Sequence, residues 1–147
     1  MSFFGELFGE ELEQESLSKE QAFAGILFSI ISVDGQVTAE ETADFNSTLQ
    51  RAKLMRKVTN NEFNDMMRVL QRALRKSGPE VLVTTCAEFL PSELANGTFA
   101  HACDLVFSDG DAAVEEQKLL DHIKQELKIE DGLAFKVGEV LMIKNRI

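Results

Sequence analysis

Apolar residues recur along this chain at three- and four-residue intervals almost from end to end, the period of an α-helix with one buried face. Phe23, Ile26, Leu27, Ile30 and Ile31 follow Ser18-Lys19-Glu20-Gln21, a sequence that fits a capping box at a helix start. Thr38-Ala39-Glu40-Glu41 is a second box and opens a helix carrying Phe45, Leu49 and Ala52. Thr59-Asn60-Asn61-Glu62 is a third, ahead of the stripe Phe63, Met66, Met67, Leu70 and Leu74. Gly78-Pro79 ends that stripe, and Pro79 suits the first turn of another helix, with Val81, Leu82 and Phe89 inward and Pro91 at its end. From Ser92 the pattern runs through Phe99, Cys103, Val106 and Phe107, then resumes with Leu119, Leu120, Ile123 and Leu127. A last helix, with Asp131 as N-cap, carries Leu133, Phe135, Val137, Leu141 and Met142. No alternating strand pattern appears. The expectation is an all-α single domain of seven to eight helices, with short connections.

Within that pattern one unit occurs twice. Val33-Asp34-Gly35-Gln36-Val37-Thr38-Ala39-Glu40-Glu41 is answered by Ser108-Asp109-Gly110-Asp111-Ala112-Ala113-Val114-Glu115-Glu116. Asp, Gly and both Glu coincide without a gap, and upstream Ile30 and Ile31 match Leu105 and Val106. A helix, an Asp-Gly turn and a helix therefore occur once in each half. Such a duplication commonly folds with a pseudo-twofold axis, an arrangement that can bring two turns together.

The chemistry of the turns has two readings. An EF-hand loop needs early carboxylates, Gly at its sixth position, an apolar residue at its eighth and Glu at its twelfth. With Gly35 at the sixth position, Val37 and Glu41 fit, but Ile30 and Ser32 occupy positions that require oxygen-rich ligands. The second copy fails in the same places, with Leu105 and Phe107, and Ala112 is a poorer match at the eighth. Two half-loops together are a different proposition. Asp34, Glu41, Asp109 and Glu116 form an all-oxygen set, with Asp111, Glu40 and Glu115 in reserve. Such a set favours calcium, magnesium or manganese over zinc. The competing account needs no ion: Asp-Gly is a common turn, Thr38 and Glu41 cap a helix, and first-turn acids complement the helix dipole. It covers the first copy fully. The second lacks the Thr, since Ala113 stands in its place.

Composition narrows the field further. The 147 residues fit one domain, and with neither Trp nor Tyr among them the aromatic core must be Phe. No apolar run approaches the ~20 residues needed to cross a bilayer, and the acidic start of the chain does not read as a signal peptide. Cys86 and Cys103 form no CxxC motif and read as buried reduced thiols. A cytoplasmic protein is expected. The net charge of −10 argues against nucleic acid. The charge is uneven, however: residues 51 to 76 hold eight bases against Glu62 and Asp65. That stretch is either a solvated helix face or a patch for an acidic partner or anionic membrane surface. Phe3, Phe4, Leu7, Phe8 and Leu12 make residues 1–17 a short segment that docks on the body; a lipid-binding helix is the alternative, for which its Glu residues are the wrong charge. Catalysis finds little support: His101 and His122 have no triad or HExxH context, and no GxGxxG, P-loop or GxSxG sequence occurs. No catalytic residues are assigned.

On the two Asp-Gly…Glu-Glu turns, each behind an apolar helix, and on the trailing Leu119, Leu120, Ile123, Leu127 and Ile129, the chain resembles the TerB-like proteins associated with tellurite resistance. The resemblance covers roughly residues 18 to 145. It implies a bundle of about seven helices over 18–147, with the paired acidic motifs as the metal site. It also implies a non-enzymatic role in stress response, acting through protein partners, some at the inner membrane face. Asp34, Glu41, Asp109 and Glu116 carry over residue by residue; Ala112-Ala113 departs from the family's usual pair. A purely structural interaction protein without metal, and a carboxylate metalloenzyme, are the competing classes.

Overall fold

The computed structural model describes residues 16–108 and 112–147. Among these residues there are six α-helices and no strands: α1 (Lys19–Ile31), α2 (Ala39–Arg51), α3 (Asn60–Phe89), α4 (Ala95–Phe107), α5 (Val114–Glu126) and α6 (Asp131–Lys144). Short 3₁₀ turns at Lys53–Met55 and Ser92–Leu94 lead into α3 and α4. The all-α expectation holds. The count is six rather than seven to eight for two reasons. The stretches expected on either side of Gly78-Pro79 form one element with a break, and the Phe-rich opening segment lies outside the described residues. At the break Gly78 takes φ 85 and ψ 171, a left-handed extended conformation open to glycine alone.

The cap chemistry expected from the sequence sets the starts of the helices. Ser18 Oγ accepts from the Gln21 N–H at 3.0 Å. Thr38 and Thr59 both close full boxes, in which the threonine oxygen accepts from the Glu N–H and the Glu carboxylate accepts from the threonine N–H. The last helix differs from expectation. Glu130, not Asp131, is its N-cap residue, and Asp131 is already in the first turn. The Asp131 carboxylate is drawn instead to Lys124 Nζ at 2.5 Å, and this hydrogen bond holds its pKa below the usual carboxylate value. At the end of α5, Lys128 adopts φ 56, and its successor's N–H reaches back to the Lys124 carbonyl at 3.0 Å, so a left-handed residue closes the helix.

The organising element is α1. Ten consecutive residues, Ala22 to Ile31, are buried, so no polar stripe is left to face water. α1 packs most broadly on α3, then on α4, and also meets α2 and α5. Ser29, fully buried, donates its hydroxyl proton to the Gly25 carbonyl at 2.9 Å, which satisfies it inside its own helix. Gly25 itself marks the closest approach: a Cβ there would stand 2.4 Å from Cys86 Sγ and 2.9 Å from Leu70 Cδ2. Leu70 and Cys86 lie on the two sides of the Gly78 break, so both arms of α3 close on the same turn of α1. The core is aliphatic with Phe23, Phe28, Phe45 and Phe99 as its aromatic members. Each such side chain, once buried, contributes about 1.5–3 kcal/mol. Both cysteines are buried and free, and burial raises each thiol to about 12. Among the described residues no helix is long and apolar enough to cross a membrane.

Candidate metal centre

The first acidic turn follows directly from the end of α1. Ser32 ends the helix, the Gly35 N–H donates to the Ser32 carbonyl at 3.1 Å, and Gly35 takes φ 81. The tight reversal needs a residue tolerant of positive φ, which is why the turn is Asp-Gly rather than Asp followed by a larger residue. Asp34 Oδ1 accepts from the Gln36 N–H at 3.0 Å and pins the turn. Glu41 Oε1 accepts from the Thr38 N–H at 3.2 Å, in the first turn of α2. In the second copy Glu116 Oε1 accepts from the Ala113 N–H at 3.2 Å. The capping box is thus half kept there: Ala113 has no oxygen to offer the Glu116 N–H, but the glutamate still returns its half. The two copies share more of the cap than the loss of threonine suggests.

Asp34, Glu41 and Glu116 line one cavity of about 140 Å³, together with Glu40, Asp44, Ile30, Ile31, Leu105 and Ser108. The carboxylates of the first turn thus meet a carboxylate of the second beside the ends of α1 and α4. Asp34 is exposed, whereas Glu41 and Glu116 are half-buried. Asp109 and Asp111, the other expected ligands, lie outside the described residues. Glu115, held in reserve by the sequence reading, does not line the cavity, whereas Glu40 does. Asp44 is the residue that sequence reasoning missed. Its signal was present, since positions 40, 41 and 44 share one face of a helix.

The side-chain donors are oxygen alone, a set that favours calcium, magnesium or manganese over zinc. Among the described residues no three carboxylate, histidine or cysteine side chains stand close enough together to hold an ion. Ser32 Oγ, two residues before Asp34, is buried and without a hydrogen-bond partner among the described residues, although Ser32 does not line the cavity. The position that failed the EF-hand pattern as a carboxylate is therefore occupied by an unclaimed hydroxyl.

Neither histidine belongs to this site. His101 is half-buried, edge-on to Phe23 at 5.6 Å, and burial lowers its pKa. His122 lies between α3 and α5, with Nε2 3.1 Å from the Glu80 carbonyl and 3.0 Å from Thr84 Oγ1. Since the carbonyl only accepts, Nε2 must carry a proton, and the Thr84 hydroxyl donates onward to Glu126 Oε1 at 3.1 Å. This is an interhelical tie, not a poised base.

A helical bundle in which Asp34 and Glu41 of the first repeat line one cavity with Glu116 of the second defines a class of small all-helical proteins. Residues 20–135 match the family described as Tellurite resistance protein TerB. The match covers well over half of the chain and takes in both turns, and the chain belongs to that family. Comparison with curated proteins and with solved structures found no match.

Proposed function

We propose that this protein is a non-enzymatic stress-response module of the tellurite-resistance type, which binds one divalent cation between its two acidic turns and acts through partner proteins. The observation that supports it is the shared cavity of Asp34, Glu41 and Glu116. Glu41 and Glu116 each direct one oxygen to a helix cap while still lining the cavity, so capping and ligation are compatible. Asp34, Asp109 and Asp111 complete the set. Acids brought together without a counterion repel one another, and a cation relieves that repulsion. A pseudo-twofold relation between the α1–turn–α2 and α4–turn–α5 units is the simplest way to assemble a site from two incomplete halves. We take the cytoplasm as its compartment, with partners that include proteins at the inner membrane face.

Thermal unfolding in EDTA and then with calcium, magnesium or manganese tests this reading. At a hundredfold excess over Kd one bound ion stabilises by about 2.7 kcal/mol, or roughly 9 °C for a chain of this length. Asp109→Asn removes most of that gain. A midpoint unchanged by all three ions would leave the metal-free interaction module as the better account. That second reading has its own support: both glutamates already serve as caps.

A further inference from the structure

Among the described residues, α6 is the one α-helix with no buried residue, although eight of its fourteen residues are apolar. It packs on α4, and Leu133, Ala134, Val137 and Leu141 turn towards the core. The other side carries Phe135, Val140, Met142 and Ile143, exposed by 71, 61, 55 and 56%. A helix that is apolar on both sides needs a partner on each. These four side chains offer on the order of 400 Å², about the apolar share of the ~800 Å² that each partner buries in a stable interface.

The exposed positions Gly132, Phe135, Lys136, Glu139, Val140 and Ile143 recur every three or four residues and form one stripe. That stripe is complementary to itself when reversed. With two copies antiparallel about a twofold axis between Val137 and Gly138, Lys136 faces Glu139 of the second copy, Phe135 faces Val140, and Ile143 faces Gly132. Each contact occurs twice, as an interface with twofold symmetry requires. Parallel alignment would instead set Lys136 on Lys136 and Glu139 on Glu139. Neither charge has an ion-pair partner among the described residues, so both are available across a seam, where polar positions select register and direction. Gly132 leaves room for Ile143. A Cβ there would meet nothing within 4 Å among the described residues, so no contact within the chain calls for glycine, a poor helix former. We propose that the protein forms a reversible dimer through an antiparallel α6–α6 seam in this register.

The test is sedimentation equilibrium of the full chain in EDTA, from micromolar to millimolar concentration. Physiological salt screens repulsion between two chains of charge −10 beyond about 8 Å. The mass is expected to climb from 16.4 kDa to twice that value. Lys136→Glu and Glu139→Lys each place like charges across the seam and move association to higher concentration. An equal mixture of these two variants restores it, because each chain then meets opposite charges on the other. Ile143→Glu abolishes it, while an unchanged circular dichroism spectrum and thermal midpoint show that the variant is folded. A monomer mass throughout overturns the proposal, and so does a dimer that survives Ile143→Glu. A mass that grows past two chains, or a mixture that associates no better than its components, overturns it as well.

Discussion

Replacing Ala113 by Thr should stabilise the protein, because it supplies the half of a capping box that is missing. At the first turn Thr38 takes φ −78 and ψ 162, and its Oγ1 accepts from the Glu41 N–H at 3.1 Å. Ala113 takes φ −64 and ψ 156, close to the same backbone geometry, and Glu116 already accepts from its N–H. The position is exposed, so the added hydroxyl and methyl meet no packing penalty. Replacing Thr by Ala at such a position typically costs about 1 kcal/mol, and the reverse change recovers a similar amount. With an unfolding entropy of about 2.1 cal/mol/K per residue, 1 kcal/mol corresponds to roughly 3 °C in Tm for this chain. Calorimetry in EDTA measures it without any contribution from bound ions. Thr38→Ala serves as the mirror control and should lower Tm by a similar amount. If Ala113→Thr leaves Tm unchanged or lowers it while Thr38→Ala costs the expected amount, the two helix starts are not equivalent, and the half-box reading of the second copy is wrong.

Gly25→Ala inserts a methyl 2.4 Å from Cys86 Sγ and should destabilise by about 1–3 kcal/mol through overpacking, less up to ~1 kcal/mol regained in helix propensity; urea unfolding with and without Cys86→Ala checks whether the smaller partner relieves it. Both thiols are raised to about 12 from 9.0, so the native protein should resist thiol reagents at neutral pH and react at both positions once unfolded. The same shift makes their contribution to stability complete below about pH 9 and lost progressively as pH climbs from there towards about 12, measurable as a falling urea midpoint. His101 is held neutral by burial, so its folded-state pKa lies below 6.5 and stability should decline as pH falls from 6.5 towards the folded-state value; an NMR titration of the ring should place its midpoint on the acid side of 6.5.

Much of the fold could be read from local chemistry. Thr38 and Thr59 begin helices because their oxygens satisfy N–H groups three residues on, an arrangement visible in four consecutive letters. Gly78-Pro79 breaks α3 because Pro79 has no N–H to give and Gly78 accepts a φ of 85, again a local matter. The run from Ala22 to Ile31 contains only one polar side chain, and this predicts the central position of α1 better than any amphipathic stripe. What could not be read depends on distant partners. Glu130 takes the N-cap position, and Asp131 pairs with Lys124, a partner seven residues away in the preceding helix. The tie of His122 to Thr84 spans thirty-eight residues, and no motif announces it. At the candidate site the motif identified Asp34, Glu41 and Glu116, which do share a cavity. The repeat could not point to Asp44, because the matching position of the second copy holds Leu119, a core residue.

The central claim is one cation shared by two turns, and a titration followed residue by residue in ¹⁵N NMR spectra addresses it most directly. Addition of calcium, or of magnesium or manganese in parallel with allowance for broadening by the last, should shift the amides of residues 33–41 and of 112–117 together, with a single midpoint. Asp34→Asn should weaken the response in both segments at once. Shifts confined to one turn, two separate midpoints, or no shift with any of the three ions would contradict a shared site and leave the acids as helix caps.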